Sequence, residues 1–377
     1  MSKPLLYSPE CLTFGIHSYK IDNSNGLEMH ILESGESSKT ILLLHGFPEI
    51  AYSWRKIMPM LANHKYRVIA PDLRGFGLTS GWDSRYDCDL SLFRPLNIIR
   101  DILGLLTTLQ IDRITMVVGH DYGASIAAYA ALIRPDIFQS LSLMSAPFSG
   151  PPLLNAKKDN VDIATNLAQL ERPRKHYQWY YATHEADGDI QNCTEGIHNF
   201  LRAYFHYKSA DWKGNKPFQL ESWSAEELAK MPTYYIMDLD KNMPETVAPQ
   251  MPTIEEIAKC EWLPDDELRV YSNTYFKTGF QGGLNHYRCR FNKTFISEQQ
   301  VFSGCTISVP TCFISGASDW GVYQVPGALE TMETEVCSNF LGSHLIKDAG
   351  HWVQQERPDE VIRLLLSFLK NVEKQIE

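Results

Sequence analysis

Residues 114–131, ITMVVGHDYGASIAAYAA, restrict this chain more than any other segment. An apolar run rich in β-branched side chains ends at Gly119-His120-Asp121-Tyr122-Gly123, and a stretch of small helix-forming residues begins at once. A strand that becomes a helix across so few residues has to turn sharply, and glycine on both sides of the turn lets neighbouring backbones approach. The central residue is then pushed out at the carboxyl end of a sheet and set on a helix N-terminus. The spacing is that of a nucleophile elbow, with Asp121 in the slot where an esterase holds serine. An aspartate at a helix start is often only a cap. The buried strand before this one and the Ala/Ser helix after it favour the elbow.

Aspartate in that slot changes the chemistry. A serine hydroxyl needs a base to remove its proton, whereas a carboxylate at the positive end of a helix is ionised at neutral pH. It is a poor attacker of ordinary esters and amides. It suits displacement at a saturated carbon bearing a good leaving group, which leaves a covalent alkyl ester on the protein.

The surrounding pattern is an α/β fold. Strands are expected at 27–34, 40–45, 66–70, 113–119 and 139–145, with helices at 51–63, 96–110 and 121–134 between them. That alternation, with continuous apolar strands, calls for a mostly parallel central sheet flanked by helices. The rhythm stops near Pro147 and resumes near Thr306 with TISVPTCFIS, a helix around 326–333, the strand SHLIKD and an amphipathic helix over 358–372. The expected division is a core of 1–147 and 291–377, with a mainly helical insertion, hinge loops included, at 148–290. The insertion holds 20 of the chain's 43 aromatic side chains in 143 of its 377 positions, a denser share than the core. Helical spacing of Ile197, Leu201, Tyr204 and Phe205 places many of these rings in helix packing. Some of them are expected to line an apolar slot between insertion and core.

Charge and cysteine usage remove other classes. Lys and Arg number 35 against 45 Asp and Glu, a net charge of −10, so no basic stripe awaits nucleic acid. No apolar run reaches membrane-spanning length, and MSKPLLYSPECL lacks the apolar centre of an export signal. Eight scattered cysteines without a CxxC pair read as free thiols of a reducing, cytoplasmic compartment. His176, His184, His198 and His206 have no metal-ligand spacing and are expected on helix surfaces or in packing. No cofactor and no metal are expected, and the oligomeric state is open.

Three further segments complete a site. HGFPE, 45–49, follows the strand TILLL, and the backbone N–H of Phe47 is expected to join that of Tyr122 in an oxyanion hole. Pro48 fits a fixed turn, with a cis peptide expected. GHW, 350–352, follows LIKDA and supplies His351 as general base, since imidazole titrates near working pH. His45 and His120, at strand ends beside glycine, are expected to hydrogen-bond locally. In FISGASDW, Asp319 follows a buried strand and a tight turn, which suits the acid that orients His351; Asp159 and Asp162 rank below it. The order nucleophile, acid, base is that of α/β-hydrolases.

Together HGFPE with the following YSW, PDLRGFG at 71–77, GHDYGA at 119–124, GASDWGVYQ at 316–324 and GHWVQQERP at 350–358 resemble the soluble epoxide hydrolases of the α/β-hydrolase superfamily. The resemblance spans most of the chain. It implies that 148–290 is a helical cap and that an apolar epoxide and water are the partners. It also implies two cap tyrosines that hydrogen-bond the oxirane oxygen. TGFQGGLNHYRCR places one at Tyr287. KHYQWYY points to Tyr177 for the other, with Tyr180, Tyr181, Tyr234 and Tyr235 as rivals. Pro48, Trp179 and Trp352 are expected to line the pocket. His286 departs from the family pattern, which often has an aromatic residue before the tyrosine. A haloalkane dehalogenase shares the aspartate but draws halide donors from positions that here hold Phe47 and Tyr122. A non-catalytic ligand-binding relative is the third reading.

Overall fold

A computed structural model describes residues 11–154 and 162–376. Its framework is an eight-stranded sheet. In chain order the strands are β1 (Ile16–Asp22), β2 (Glu28–Ser34), β3 (Thr40–Leu44), β4 (Arg67–Pro71), β5 (Met116–His120) and β6 (Leu141–Met144). A separate two-stranded ribbon follows, β7 (Arg174–His176) with β8 (Ile236–Asp238), and the main sheet ends with β9 (Thr311–Gly316) and β10 (Phe340–Ile346). The spatial order is β1-β2-β4-β3-β5-β6-β9-β10, antiparallel between β1, β2 and β4 and parallel beyond.

The central strands are apolar because both their faces are covered. Every residue of β3, β5, β6 and β9 is buried. The helix Tyr122–Ile133 lies against β3, β5 and β6, and Pro95–Thr108 packs on that helix and on β1. The last helix, Pro358–Ile376, buries Val361, Leu365, Phe368 and Val372 along one stripe, the spacing its amphipathic pattern requires.

Local chemistry adjusts several expected elements. The helix expected over 51–63 is split into a 3₁₀ turn, Ala51–Trp54, and a helix, Met58–Asn63, because Pro59 lacks an N–H and is tolerated only in a first turn. The helix expected at 326–333 is Ala328–Thr331, continued by a wide turn over Met332–Val336. Strand β1 and the ribbon escape sequence reading. The first is a half-exposed edge strand, and the ribbon strands have three residues each, too few to show a period.

Between β6 and β9 the chain leaves the sheet. It forms the ribbon and helices that include Tyr177–Tyr181, Gly196–Lys208, Asp265–Thr278 and Gln281–Arg290. Parallel register then decides what meets. Leu44 pairs with Gly119, His120 with Met144, Met144 with Ile314, and Gly316 with Ile346. The loops that carry Phe47, Asp121, Ser145, Asp319 and His351 therefore leave the same edge of the sheet.

Candidate active site

Asp121 sits in a strained turn, with φ 52° and ψ −117°, between β5 and the helix Tyr122–Ile133. Non-glycine residues in such conformations carry about 1–3 kcal/mol of strain and cluster at functional sites. The turn closes because Gly123 has no side chain: a Cβ there would lie 2.2 Å from the Leu44 carbonyl oxygen. The backbone N–H of Phe47 donates to Asp121 Oδ1 at 3.1 Å. Tyr122 is the first residue of the helix, so its N–H has no partner one turn back and is free to serve the same oxygen. The Phe47–Pro48 peptide is cis.

The second carboxylate oxygen, Oδ2, faces His351 Nε2 at 3.6 Å. The imidazole is oriented from its other side. Nδ1 lies 3.1 Å from Asp319 Oδ1 and 2.8 Å from Ser145 Oγ, which fixes the proton on Nδ1. Nε2 is buried and has no hydrogen-bond partner among the described residues. Asp319 also accepts from Ser315 Oγ at 3.0 Å and from the Gly321 N–H at 2.7 Å. Burial would push its carboxyl up, but His351, Ser145 and the Gly321 N–H hold it at about 2. Asp162 caps the exposed start of Ile163–Ala168 instead, and Asp159 lies outside the described residues.

A second layer stands behind this chain. His120 lies between Glu49 Oε2 at 2.6 Å and the carbonyl oxygen of His351 at 2.7 Å. Both partners accept, so both ring nitrogens donate; burial opposes the charge, and Glu49 restores it. Gln354 and Gln355 donate to the other Glu49 oxygen at 2.9 and 3.1 Å. The expectation of local bonding therefore fails for His120, whose partners are brought by two other loops. For His45 it holds at one nitrogen, which donates to the Gly46 carbonyl, while the other accepts from the Leu73 N–H.

Asp121 opens into a cavity of about 370 Å³. Phe47, Phe76, Tyr129, Phe148, Pro152 and Ile296 supply much of its apolar wall. Tyr177 and Tyr287 line it as well, their rings 6.0 Å apart, and of the six candidate tyrosines of the insertion only these two reach it. Tyr177 Oη receives a hydrogen bond from Gln178 at 3.0 Å and lies 3.4 Å from Gln324 Oε1. Tyr180 is spent on Asp189 and Tyr234 on Asn215. Burial, then Asp121, raises the phenol of Tyr177, and burial raises that of Tyr287, so both stay protonated donors. His286 lines the wall with its ring stacked on Phe76; burial lowers it to about 4, so it is a neutral wall.

Three expected lining residues are elsewhere. Trp352 is fully buried, and its indole donates to the Phe205 carbonyl at 2.8 Å, because His351 takes the side of the turn toward Asp121 and its neighbour is sent into the core. Trp179 lies two residues beyond Tyr177 on the same short helix, so it faces away and packs on His176. Pro48 belongs to the turn rather than the wall. Only Phe148, Tyr177 and Tyr287 of the insertion's 20 aromatic residues line the cavity, so packing is what most of them do. Ser145 and Ser315 were missed: a lone serine at a strand end has no distinguishing neighbourhood in sequence. Among the described residues no cluster of three or more His, Cys, Asp or Glu could hold a metal ion.

Comparison with known proteins agrees with this geometry. Residues 39–358 match the α/β-hydrolase fold family. Epoxide hydrolase A of Mycobacterium tuberculosis is 30% identical over 364 residues, covering 95% of this chain and 99% of that protein. An epoxide hydrolase of Caballeronia sordidicola is 29% identical, with 96% of each covered. The structure of an epoxide hydrolase from an endophytic Streptomyces superposes with a TM-score of 0.78 at 27% identity, covering 96% of this chain and 97% of that one. Potato (Solanum tuberosum) epoxide hydrolase I gives 0.74 at 28% identity, covering 94% and 99%. The chain belongs to the α/β-hydrolase superfamily and, within it, to the epoxide hydrolase family.

Proposed function

We propose that this chain hydrolyses an epoxide to a vicinal diol through an ester on Asp121. One observation carries the reading. Asp121, with Oδ1 in the Phe47 N–H grip and Oδ2 open, faces the same cavity as two protonated phenols, Tyr177 and Tyr287.

In the first step Oδ2 attacks an oxirane carbon, the ring C–O bond breaks, and its electron pair moves to oxygen. Tyr177 and Tyr287 hold that oxygen, and one of them gives it a proton. Oδ1, already held by the Phe47 N–H, becomes the ester carbonyl oxygen, and the Tyr122 N–H at the helix start serves it as the second donor. In the second step His351 Nε2 removes a proton from water, the hydroxide adds to the ester carbonyl, and the two N–H groups hold the negative charge. Collapse breaks the ester bond, frees the diol and restores the carboxylate. The proton taken by His351 returns to the tyrosinate through the diol or solvent. Asp319 stabilises the transient imidazolium. The 3.6 Å gap between Nε2 and Oδ2 is too long for a direct bond, so the carboxylate does not occupy the nitrogen that takes the proton.

The apolar wall favours an apolar epoxide, with Arg290 the one fixed cation among the lining residues. Residues 148–290 serve as the cap that closes this slot. Eight unpaired cysteines suit a reducing compartment, and cytoplasmic action is part of the proposal. No helix among the described residues is long and apolar enough to cross a membrane.

The test is a single turnover in heavy-oxygen water. The first diol should carry its new oxygen from Asp121, and label should appear in product only on later turnovers. Label passing directly from water to the first product would overturn the scheme.

A further inference from the structure

The residue that stands out beyond this site is Lys208, the last of the helix Gly196–Lys208. It is 3% exposed. Its ammonium lies over four rings, 5.0 Å from the centroid of Tyr235, 5.4 Å from Tyr204 and Trp352, and 5.8 Å from Tyr234. Among the described residues no carboxylate or hydrogen-bond acceptor meets it, whereas Arg55, Arg74 and Arg202, equally buried, each have a carboxylate partner. Burying an unpaired ammonium is costly, and a cage of rings recovers only part of that cost. Stability alone gives such a residue no reason to be charged.

Its position gives one. The Lys208 carbonyl accepts the backbone N–H of His351 at 3.0 Å. Gly350 is pressed so closely on this turn that a Cβ would come within 2.7 Å of the same oxygen. The Glu356 carboxylate receives N–H bonds from Gly350, Trp352 and Ala210, clamping the loop of His351 to the loop after Lys208. The Trp352 ring, 4.5 Å from the imidazole, is also a wall of the cage. Lys208 is therefore held rigidly one layer behind the base.

We propose that Lys208 is a positioning residue for the second half-reaction, a fixed unpaired cation that keeps His351 neutral between two carboxylates and so ready to take a proton from water. The inference rests on the reaction proposed above. The charges that face His351 are Asp319 and Asp121, which favour imidazolium, and the His120 imidazolium and Lys208, which oppose it; Glu49 lies behind His120, and Glu356 beneath the turn. Burial, then Lys208, pulls His351 below its ordinary value, and Asp319 pulls it back. Burial lowers Lys208 itself, while Asp121, Asp319 and Glu49 raise it. The neighbouring phenols Tyr204, Tyr234 and Tyr235 are raised by burial and stay uncharged.

The experiment follows decay of the ester adduct by quenched-flow mass spectrometry across pH, in wild type, Lys208→Met, Lys208→Gln and Lys208→Arg. Methionine is apolar, of similar length, and fits the cage; glutamine is a second neutral variant with different packing. In the neutral variants the acid limb of ester decay should move to higher pH by about one unit. Adduct formation should still be seen, and Lys208→Arg should restore the wild-type limb. An unmoved acid limb in either folded neutral variant, or an equal shift in Lys208→Arg, would overturn the proposal. So would failure of both neutral variants to fold while Lys208→Arg folds with an altered limb, since the residue would then be structural. Absence of any adduct in wild type would instead defeat the reaction scheme.

Discussion

The buried His351 Nε2 and the cavity-facing Asp121 Oδ2 stand 3.6 Å apart, with no hydrogen bond between them. In the proposed reaction the gap separates two tasks. A carboxylate bonded directly to the imidazole would be blunted as an attacker, and the imidazole would be charged and useless as a base. Replacing His351 by Gln should leave attack intact and stop ester hydrolysis. The variant should gain the mass of the epoxide on Asp121 and lose turnover by about 10²–10⁴-fold. Intact-protein mass spectrometry checks this, and an unmodified His351→Gln after exposure to a turned-over epoxide counts against it.

In the proposed reaction the paired phenols act earlier. Tyr177→Phe and Tyr287→Phe should each slow ester formation by about 10–100-fold while leaving ester decay unchanged, and the double variant should be slower than either. Rapid mixing under single-turnover conditions separates the two steps. Tyr180→Phe, whose phenol bonds Asp189 away from the cavity, should leave both steps near wild type.

Gly46 tests the placement of the carboxylate. A Cβ there would lie 2.4 Å from Asp121 Cβ and 2.5 Å from its Oδ1. Gly46→Ala must push that side chain out of the Phe47 grip, and a misplacement of this order costs about 10²-fold in rate. Ester formation should fall by at least that factor with the circular-dichroism spectrum unchanged.

Acid stability follows from Asp319 and Glu49. Burial opposes ionisation in both, and their histidine partners hold each at about 2, below the ordinary carboxylate values of 3.8 and 4.5. A carboxyl depressed on folding stabilises fully above its unfolded value and loses that contribution as protons bind. The melting temperature should therefore drop as pH falls from about 4.5 toward 2. Asp319→Asn, less stable at pH 6, should lose about 2–4 °C less than wild type between pH 6 and 3. Equal losses would place the acid sensitivity elsewhere.

The second layer also bears on folding. Glu49→Gln leaves the His120 imidazolium buried without its counter-charge, a defect worth about 3–5 kcal/mol. Urea denaturation should show it as a lower midpoint with an unchanged slope.

How much of this was legible beforehand varies with the range of the interaction. The elbow, the strand–helix rhythm, Phe47, Asp319 and His351 could be read because each lies in a short segment whose own residues demand a turn. The family resemblance pointed to Tyr177, but the residues alone could not separate it from Tyr180 or Tyr181, since adjacent phenols on one five-residue helix differ only in the direction they face. Trp352 was misplaced for the same reason: a turn sends neighbouring side chains to opposite sides. Ser145, 206 positions from the imidazole it touches, and His120, 231 positions from the carbonyl it bonds, leave no trace in local pattern.

What the chain alone determined is the kind of chemistry: an aspartate between two glycines after an apolar strand, a histidine after another, an acid after a third. Those features come from backbone sterics and side-chain polarity, which act over a few residues. The tertiary structure decided which phenols face the carboxylate, which serine supports the base, and that an unpaired Lys208 stands behind it. Parallel strand register and helix orientation set those distances, and both depend on packing summed over the whole core.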